Sequence, residues 1–86
     1  MLRRHPDIEE APLKNELLLF RGSDNKFFVM NSTAAFLWQR LESPAEEEDL
    51  AARVCAAFSG VSADQARADV ADTIKLMLEL NLIRSE

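Results

Sequence analysis

One cysteine, one histidine and fifteen carboxylates are the side chains of this 86-residue chain with the most chemical potential. Cys55 could act as a thiolate nucleophile if a neighbouring base lowered its pKa. The sequence supplies no evident base beside it, so Cys55 reads as a small buried core residue. As the only cysteine it excludes an internal disulfide. His5 could ligate a metal, but no second His or Cys stands at ligand spacing from it. A Ser-His-Asp arrangement would need that same histidine, and the Ser and Thr residues fall mostly in caps and turns. Glu46, Glu47, Glu48 and Asp49 could hold a cation. They follow Ser43-Pro44, however, where the first turn of a helix favours negative charge for its own reasons. Gly22 and Gly60 are the only glycines, so no phosphate-cradling loop is present. No catalytic centre, cofactor or metal follows from these residues. The expected class is a binding module without catalysis.

The charge balance narrows its partners. The net charge is −5. Residues 1–41 hold six basic and five acidic side chains, net +1, and residues 42–86 hold four and ten, net −6. Phosphate neutralisation needs surplus Lys and Arg, so the acidic half argues against nucleic acid. The opening Met-Leu-Arg-Arg-His-Pro-Asp lacks the apolar stretch of an export signal, and no run reaches the ~20 apolar residues of a membrane span. The cytoplasm is the expected location, and no membrane is expected as a partner.

The elements that would position a binding surface can be read along the chain. At this length one domain, residues 1–86, is expected. Residues 1–12 are polar, with Pro6 and Pro12, and read as an irregular arm or a short edge strand; residues 1–6 are expected to be a flexible arm. Residues 16–21 form a strand containing Leu17, Leu18, Leu19 and Phe20. Gly22-Ser23-Asp24-Asn25 is a turn, and Lys26–Met30 returns as the second half of a hairpin. Three helices follow. Asn31 or Ser32 caps the first, whose stripe is Ala34, Leu37, Trp38 and Leu41. Ser43-Pro44-Ala45-Glu46 reads as the capping box of the second, which buries Leu50, Val54 and Phe58. Ser62-Ala63-Asp64-Gln65 is another capping box. The third helix then runs to about Leu80 with Val70, Ile74, Met77 and Leu78 in one stripe. Leu76 and Leu80 lie off that stripe. Leu82 and Ile83 should pack back on the core.

Both strands of the hairpin are apolar on both faces. Phe27 and Val29 point one way, Phe28 and Met30 the other, and Leu17/Leu19 and Leu18/Phe20 repeat the pattern. A sheet with one wet face alternates apolar and polar residues. One face here must cover the helices. The other needs cover from the N-terminal arm, a second subunit or a ligand.

Strand, strand, helix, helix, helix is the order of a winged-helix-like domain, with residues 63–80 in the place of a recognition helix. That helix carries Asp64, Asp69, Asp72 and Glu79 against Arg67 and Lys75, net −2. A groove-reading helix needs the opposite balance.

The ordered signals resemble one family. They are a hydrophobic strand, then Asn-Ser-Thr-Ala-Ala-Phe-Leu-Trp from Asn31, then Asp49-Leu50-Ala51, Val61-Ser62, Ala68-Asp69-Val70 and Leu80-Asn81-Leu82-Ile83. Over roughly residues 5–84 this is similar to the PqqD-like family, also called RiPP recognition elements. The resemblance implies an α+β, winged-helix-like fold: a three-stranded antiparallel sheet followed by three helices. It implies a peptide chaperone that binds the leader of a ribosomally made precursor and presents it to a modifying enzyme, often a radical SAM protein, in pyrroloquinoline quinone (PQQ) or related biosynthesis. It implies that the leader adds a strand to Lys26–Met30 and lies against the third helix. The expected contact residues are Lys26, Phe27, Phe28, Val29 and Met30 on the strand. On the helix, chosen by spacing, they are Asp69, Val70, Thr73, Leu76, Met77 and Leu80. For Val70 and Met77 a plain core role is the competing reading. Lys14, Arg21 and Lys26 near the sheet would suit acidic residues in a leader. Two other functions compete with leader binding: a winged-helix DNA-binding regulator, and an assembly subunit that dimerises through its apolar sheet face.

Overall fold

A computed structural model of the chain describes residues 1–12, 14 and 16–86. The elements are β1 (Leu2–Arg4), β2 (Ile8–Pro12), β3 (Leu17–Arg21), β4 (Lys26–Met30), α1 (Ser32–Arg40), α2 (Glu47–Ala57), α3 (Ala63–Glu79) and β5 (Ile83–Ser85). Strands β2, β3 and β4 form an antiparallel sheet in that order, and the three helices pack on it. The expected α+β, winged-helix-like architecture is present, with the hairpin turn where Gly22–Asn25 placed it. Asn25 sits in the left-handed region at φ 55°, which Asn tolerates better than most residues.

The helix starts follow local chemistry in two cases of three. Asn31, not Ser32, caps α1: its Oδ1 accepts from the Ala34 N–H at 2.8 Å. Ser62 caps α3 by accepting from the Gln65 N–H at 3.1 Å. The second start differs from expectation. Ser43 caps nothing, and α2 opens at Glu47 behind Glu46, which makes no side-chain cap bond. The cause is tertiary. Ala45 exchanges backbone hydrogen bonds with Leu2 at 3.0 and 2.8 Å, which pins Ala45 as an isolated bridge just before the helix. Glu47, Glu48 and Asp49 still occupy the first turn, where the helix dipole favours them.

The N-terminus also departs from the expected arm. Leu2–Arg4 pairs antiparallel with Ile83–Ser85 in a second, two-stranded sheet, and Leu2 is buried in the core. The physical reason is that Ile83 and Leu82, both buried, bring a short edge back over the helices, and Leu2 supplies the apolar residue that closes it. The expected core stripes hold. Ala34, Leu37, Trp38 and Leu41, then Leu50 and Val54, then Val70, Ile74 and Met77 are all buried, while Phe58 and Leu78 pack partly buried against them. Cys55 is half-buried and its thiol donates weakly to the Val61 carbonyl at 3.6 Å.

Trp38 ties three elements together. Its Nε1 donates to the Glu10 carboxylate on β2 at 2.6 Å. Arg4 on β1 donates Nε and Nη2 to the Trp38 carbonyl at 3.0 and 2.6 Å, with its guanidinium 4.4 Å from the indole centroid. A buried indole N–H needs such a partner. Among the described residues, no helix is long and apolar enough to cross a membrane.

Candidate functional site

Strand β4 is an edge of its sheet, bonded to β3 on one side only. In the β3–β4 register Leu17 faces Met30, Leu19 faces Phe28, Leu18 faces Val29 and Phe20 faces Phe27. The first two pairs form the inner face: Leu17, Leu19 and Met30 are buried and Phe28 is partly buried against the core. The last two pairs form the outer face. There Phe27 and Val29 are each 62 % exposed. The Phe20 and Phe27 rings meet at 4.7 Å between centroids, tilted by 36°. The N-terminal segment does not cover this face, since β1 pairs with β5 and β2 joins the far side of β3. Among the described residues, the intramolecular one of the three covers open to the second apolar face is therefore absent for Phe27 and Val29.

Helix α3 carries the second set of expected contact residues. Leu76 is 54 % exposed and Leu80 is partly buried, so the two leucines off the core stripe do reach the surface. Asp69 and Thr73 are half-buried, with the Thr73 hydroxyl donating to the Asp69 carbonyl at 2.8 Å. Val70 and Met77 are 0 % and 1 % exposed. Their side chains belong to the core and act on any groove only by fixing the helix. Phe27 and Val29, for their part, lie on the face turned away from the helices.

Arg21, the last residue of β3, joins the sheet to α3. Its Nη1 donates to the Leu80 carbonyl, one of the orphan acceptors at the helix C-terminus. Its Nε and Nη2 make a two-pronged pair with Asp24 at 2.9 and 2.8 Å, and its guanidinium lies 5.0 Å from the Phe28 centroid. The hydrogen bond to Arg21 holds the Asp24 carboxyl below its ordinary value, with help from the charges of Arg21 and Lys26 and against desolvation. The same bond raises Arg21. Arg21 is thus engaged within the chain, while Lys26, at the start of β4, and Lys14 are exposed. Sequence reading did not assign Arg21 this role. Its signal was its position at the end of a strand, three residues before an Asp in a turn.

Arg21 pairs with Lys26 in register, so its bond to Leu80 brings the start of β4 beside the end of α3. From Asp69 to Leu80 the helix rises ~16 Å. Five β4 residues span ~13–17 Å. The two segments match in length. The materials of the site are an open backbone edge, apolar side chains and few charges, which suit recognition of an extended chain. Among the described residues no set of three His, Cys, Asp or Glu side chains gathers to hold a metal. A separate hollow of about 690 Å³ between α2 and α3, lined by Ala51, Cys55, Ala63 and Arg67 among others, has no β4 residue in its wall.

The profile of the family described as Coenzyme PQQ synthesis protein D (PqqD) matches residues 16–83. The chain belongs to the PqqD family. The PqqD match begins one residue before β3 and ends at Ile83, so it spans the open edge β4 and the whole of α3 while leaving out β1 and β2. Two solved structures share the PqqD-type fold seen here. One is "TbiB1 in Complex with the TbiA(beta) Leader Peptide", with a TM-score of 0.86 and 18 % identity over 98 % of this chain and 96 % of that one. The other is "Lasso peptide synthetase B1 complexed with the leader peptide", with a TM-score of 0.84 and 24 % identity over 98 % of each chain. At these identities the likeness is one of fold. Both superpose over nearly the full length, so β1, β2 and β5 are part of the shared architecture. No curated protein matches the chain.

Proposed function

We propose that this PqqD-family protein is a peptide chaperone. It binds the leader of a ribosomally synthesised precursor by strand addition at β4 and presents it to a modifying enzyme, for which a radical SAM protein of PQQ or related biosynthesis is the expected type. The observation that carries this reading is the open, apolar edge of β4 beside α3 in a chain of this family. Strand addition draws affinity from backbone hydrogen bonds and specificity from side-chain pockets. Lys26, Phe27, Phe28, Val29 and Met30 form the docking strand. Asp69, Thr73, Leu76 and Leu80 line the helical wall, backed by Val70 and Met77. Both solved neighbours are described with a leader peptide bound, which supports the same ligand class here. The protein performs no catalysis itself and works as a single cytoplasmic domain with its precursor and enzyme partners.

The test is a titration of the ¹⁵N-labelled protein with the leader segment of a precursor peptide. Amide resonances of residues 26–30 and 69–80 should shift together and saturate. If those residues stay put at high leader concentration, the reading fails. The exposed Phe27 and Val29 favour a second, compatible reading, a homodimer through the outer sheet face. A monomeric mass that persists at high concentration would remove it. A DNA-binding role draws no support from α3, whose charges sum to −2.

A further inference from the structure

We infer that the peptide strand docked on β4 is read on both of its faces, so that the recognised segment is apolar at consecutive positions rather than at alternate ones. This takes the proposed strand addition as given and adds to it the chemical class of the segment. Side chains of an added strand alternate between the two sides of the sheet. Those on the inner side would meet Phe28, Leu76 and Leu80, the surface that α3 completes. Those on the outer side would stand beside Phe27 and Val29. Directly opposed side chains in neighbouring strands lie only ~4.5–5.5 Å apart at Cβ, close enough to bury each other.

The outer side is what distinguishes this chain from an ordinary edge. A solvent-facing row next to a docking strand is normally polar, which would leave alternate peptide residues unread. Here the row is Phe27 and Val29, each 62 % exposed. It is backed in register by Phe20 and Leu18 on β3, with Phe20 stacked on Phe27 at 4.7 Å. Among the paired strand residues the register puts one charge on that face, Glu9 on the far side of β3, and Glu16 just before β3 adds a second carboxylate, so the cations an acidic peptide residue would need are not supplied there. A charged peptide residue on the outer side would find no counter-ion on β4 beside Phe27 and Val29. An apolar one would cover two large side chains that the protein itself leaves in water. Lys26 alone is charged on β4, so the apolar run spans about the four positions that follow it.

A phage-displayed library of random peptides about twelve residues long tests this. It is panned against the wild-type protein, a Phe27→Ser/Val29→Ser double variant and a Leu76→Ser variant. All three altered residues are exposed, so each variant should melt as the wild type does, and circular dichroism verifies that. The wild type should select peptides with four or five consecutive apolar residues. The double variant should bind those peptides on the order of tenfold more weakly and, on reselection, accept polar residues at one parity. Leu76→Ser should do the same at the opposite parity. If apolar residues are selected at alternate positions only and the double variant binds as well as the wild type, the inference is wrong while strand addition stands. If the double variant loses only self-association, with peptide selection unchanged, the outer face belongs to a second copy and the inference is again wrong. If no peptide is enriched, or enriched peptides leave the amides of residues 26–30 unshifted, the proposed function falls with it.

Discussion

The two edges of the main sheet differ in a way that separates structure from function. Strand β2 reads Ile-Glu-Glu-Ala-Pro, and β4 reads Lys-Phe-Phe-Val-Met. Both present unpaired backbone groups on one side, which invites association with other chains. The β2 edge is guarded: it carries two carboxylates, and Pro12 has no N–H to offer a neighbour. It is also tied to the rest of the domain. Glu10 accepts from the buried Trp38 indole, and Asp7 just before it accepts from the Ser23 N–H at 3.0 Å. The outer row of the β4 edge has no comparable guard. The strand's one charge is Lys26 at the end, and two of its apolar side chains are mostly in water. An aggregation hazard of this kind persists in a small domain when something is meant to cover it. The contrast teaches that the open edge is a property of one strand, selected by composition, rather than of the sheet.

Proline substitutions offer the sharpest way to break the comparison. In an antiparallel pair the N–H groups of alternate residues point away from the partner strand. Prolines placed singly at Phe27, Phe28 and Val29 should therefore include at least one that keeps the β3–β4 ladder and removes a bond to the peptide. That variant should bind the leader ~10–100-fold more weakly, about 1.4–2.7 kcal/mol, measured by calorimetry. Proline at Glu9 should leave leader affinity unchanged. Equal losses from both edges would end the distinction between them.

The next effect belongs to the guarded edge. Glu10→Ala leaves the Trp38 N–H buried without its partner and should cost ~1–3 kcal/mol in denaturant unfolding, with leader affinity intact. Val29→Asp should show the reverse pattern, little loss of stability and clear loss of binding, because Val29 is exposed. A smaller change follows from Asn31→Ala, which removes the α1 cap directly after β4. It should destabilise by about 1 kcal/mol. The smallest is a pH effect. Asp24 titrates below its ordinary 3.8 in the folded protein, so its contribution is complete above that pH and is lost as pH falls through the native value. Asp24→Asn should flatten that acid-side slope in a urea titration and loosen the Arg21 bridge to Leu80.

Much of this was legible in the sequence because the signals are local. The stripe Ala34, Leu37, Trp38 and Leu41, the caps at Asn31 and Ser62, and the turn at residues 22–25 depend on neighbours within a few residues. The double-sided apolar pattern of Lys26–Met30 was equally plain, as was the surplus of Leu76 and Leu80 over the core's needs. The failures share one cause. Ser43 has every mark of a cap, but Leu2 takes the backbone of Ala45 and delays the helix. Residues 1–6 look like an arm because their partner strand lies at the other end of the chain. Val70 and Met77 satisfied the spacing of a groove wall, yet spacing does not say which part of a broad apolar arc meets the core.

The sequence by itself determined the hairpin of β3 and β4, the three helices, the acidic balance that argues against nucleic acid, the family and the strand to watch. Those follow from periodicity, capping chemistry and composition, all of which act over one or two turns of chain. Only the tertiary structure decided that Phe28 and Met30 face the helices while Phe27 and Val29 face water. It also tied β2 to α1 through the Glu10–Trp38 bond, set Arg4 on the Trp38 carbonyl and used Arg21 to hold the hairpin against α3. A strand apolar on both faces has no local preference for which face to bury. That choice is made by the register with β3 and by the helices packed beneath it.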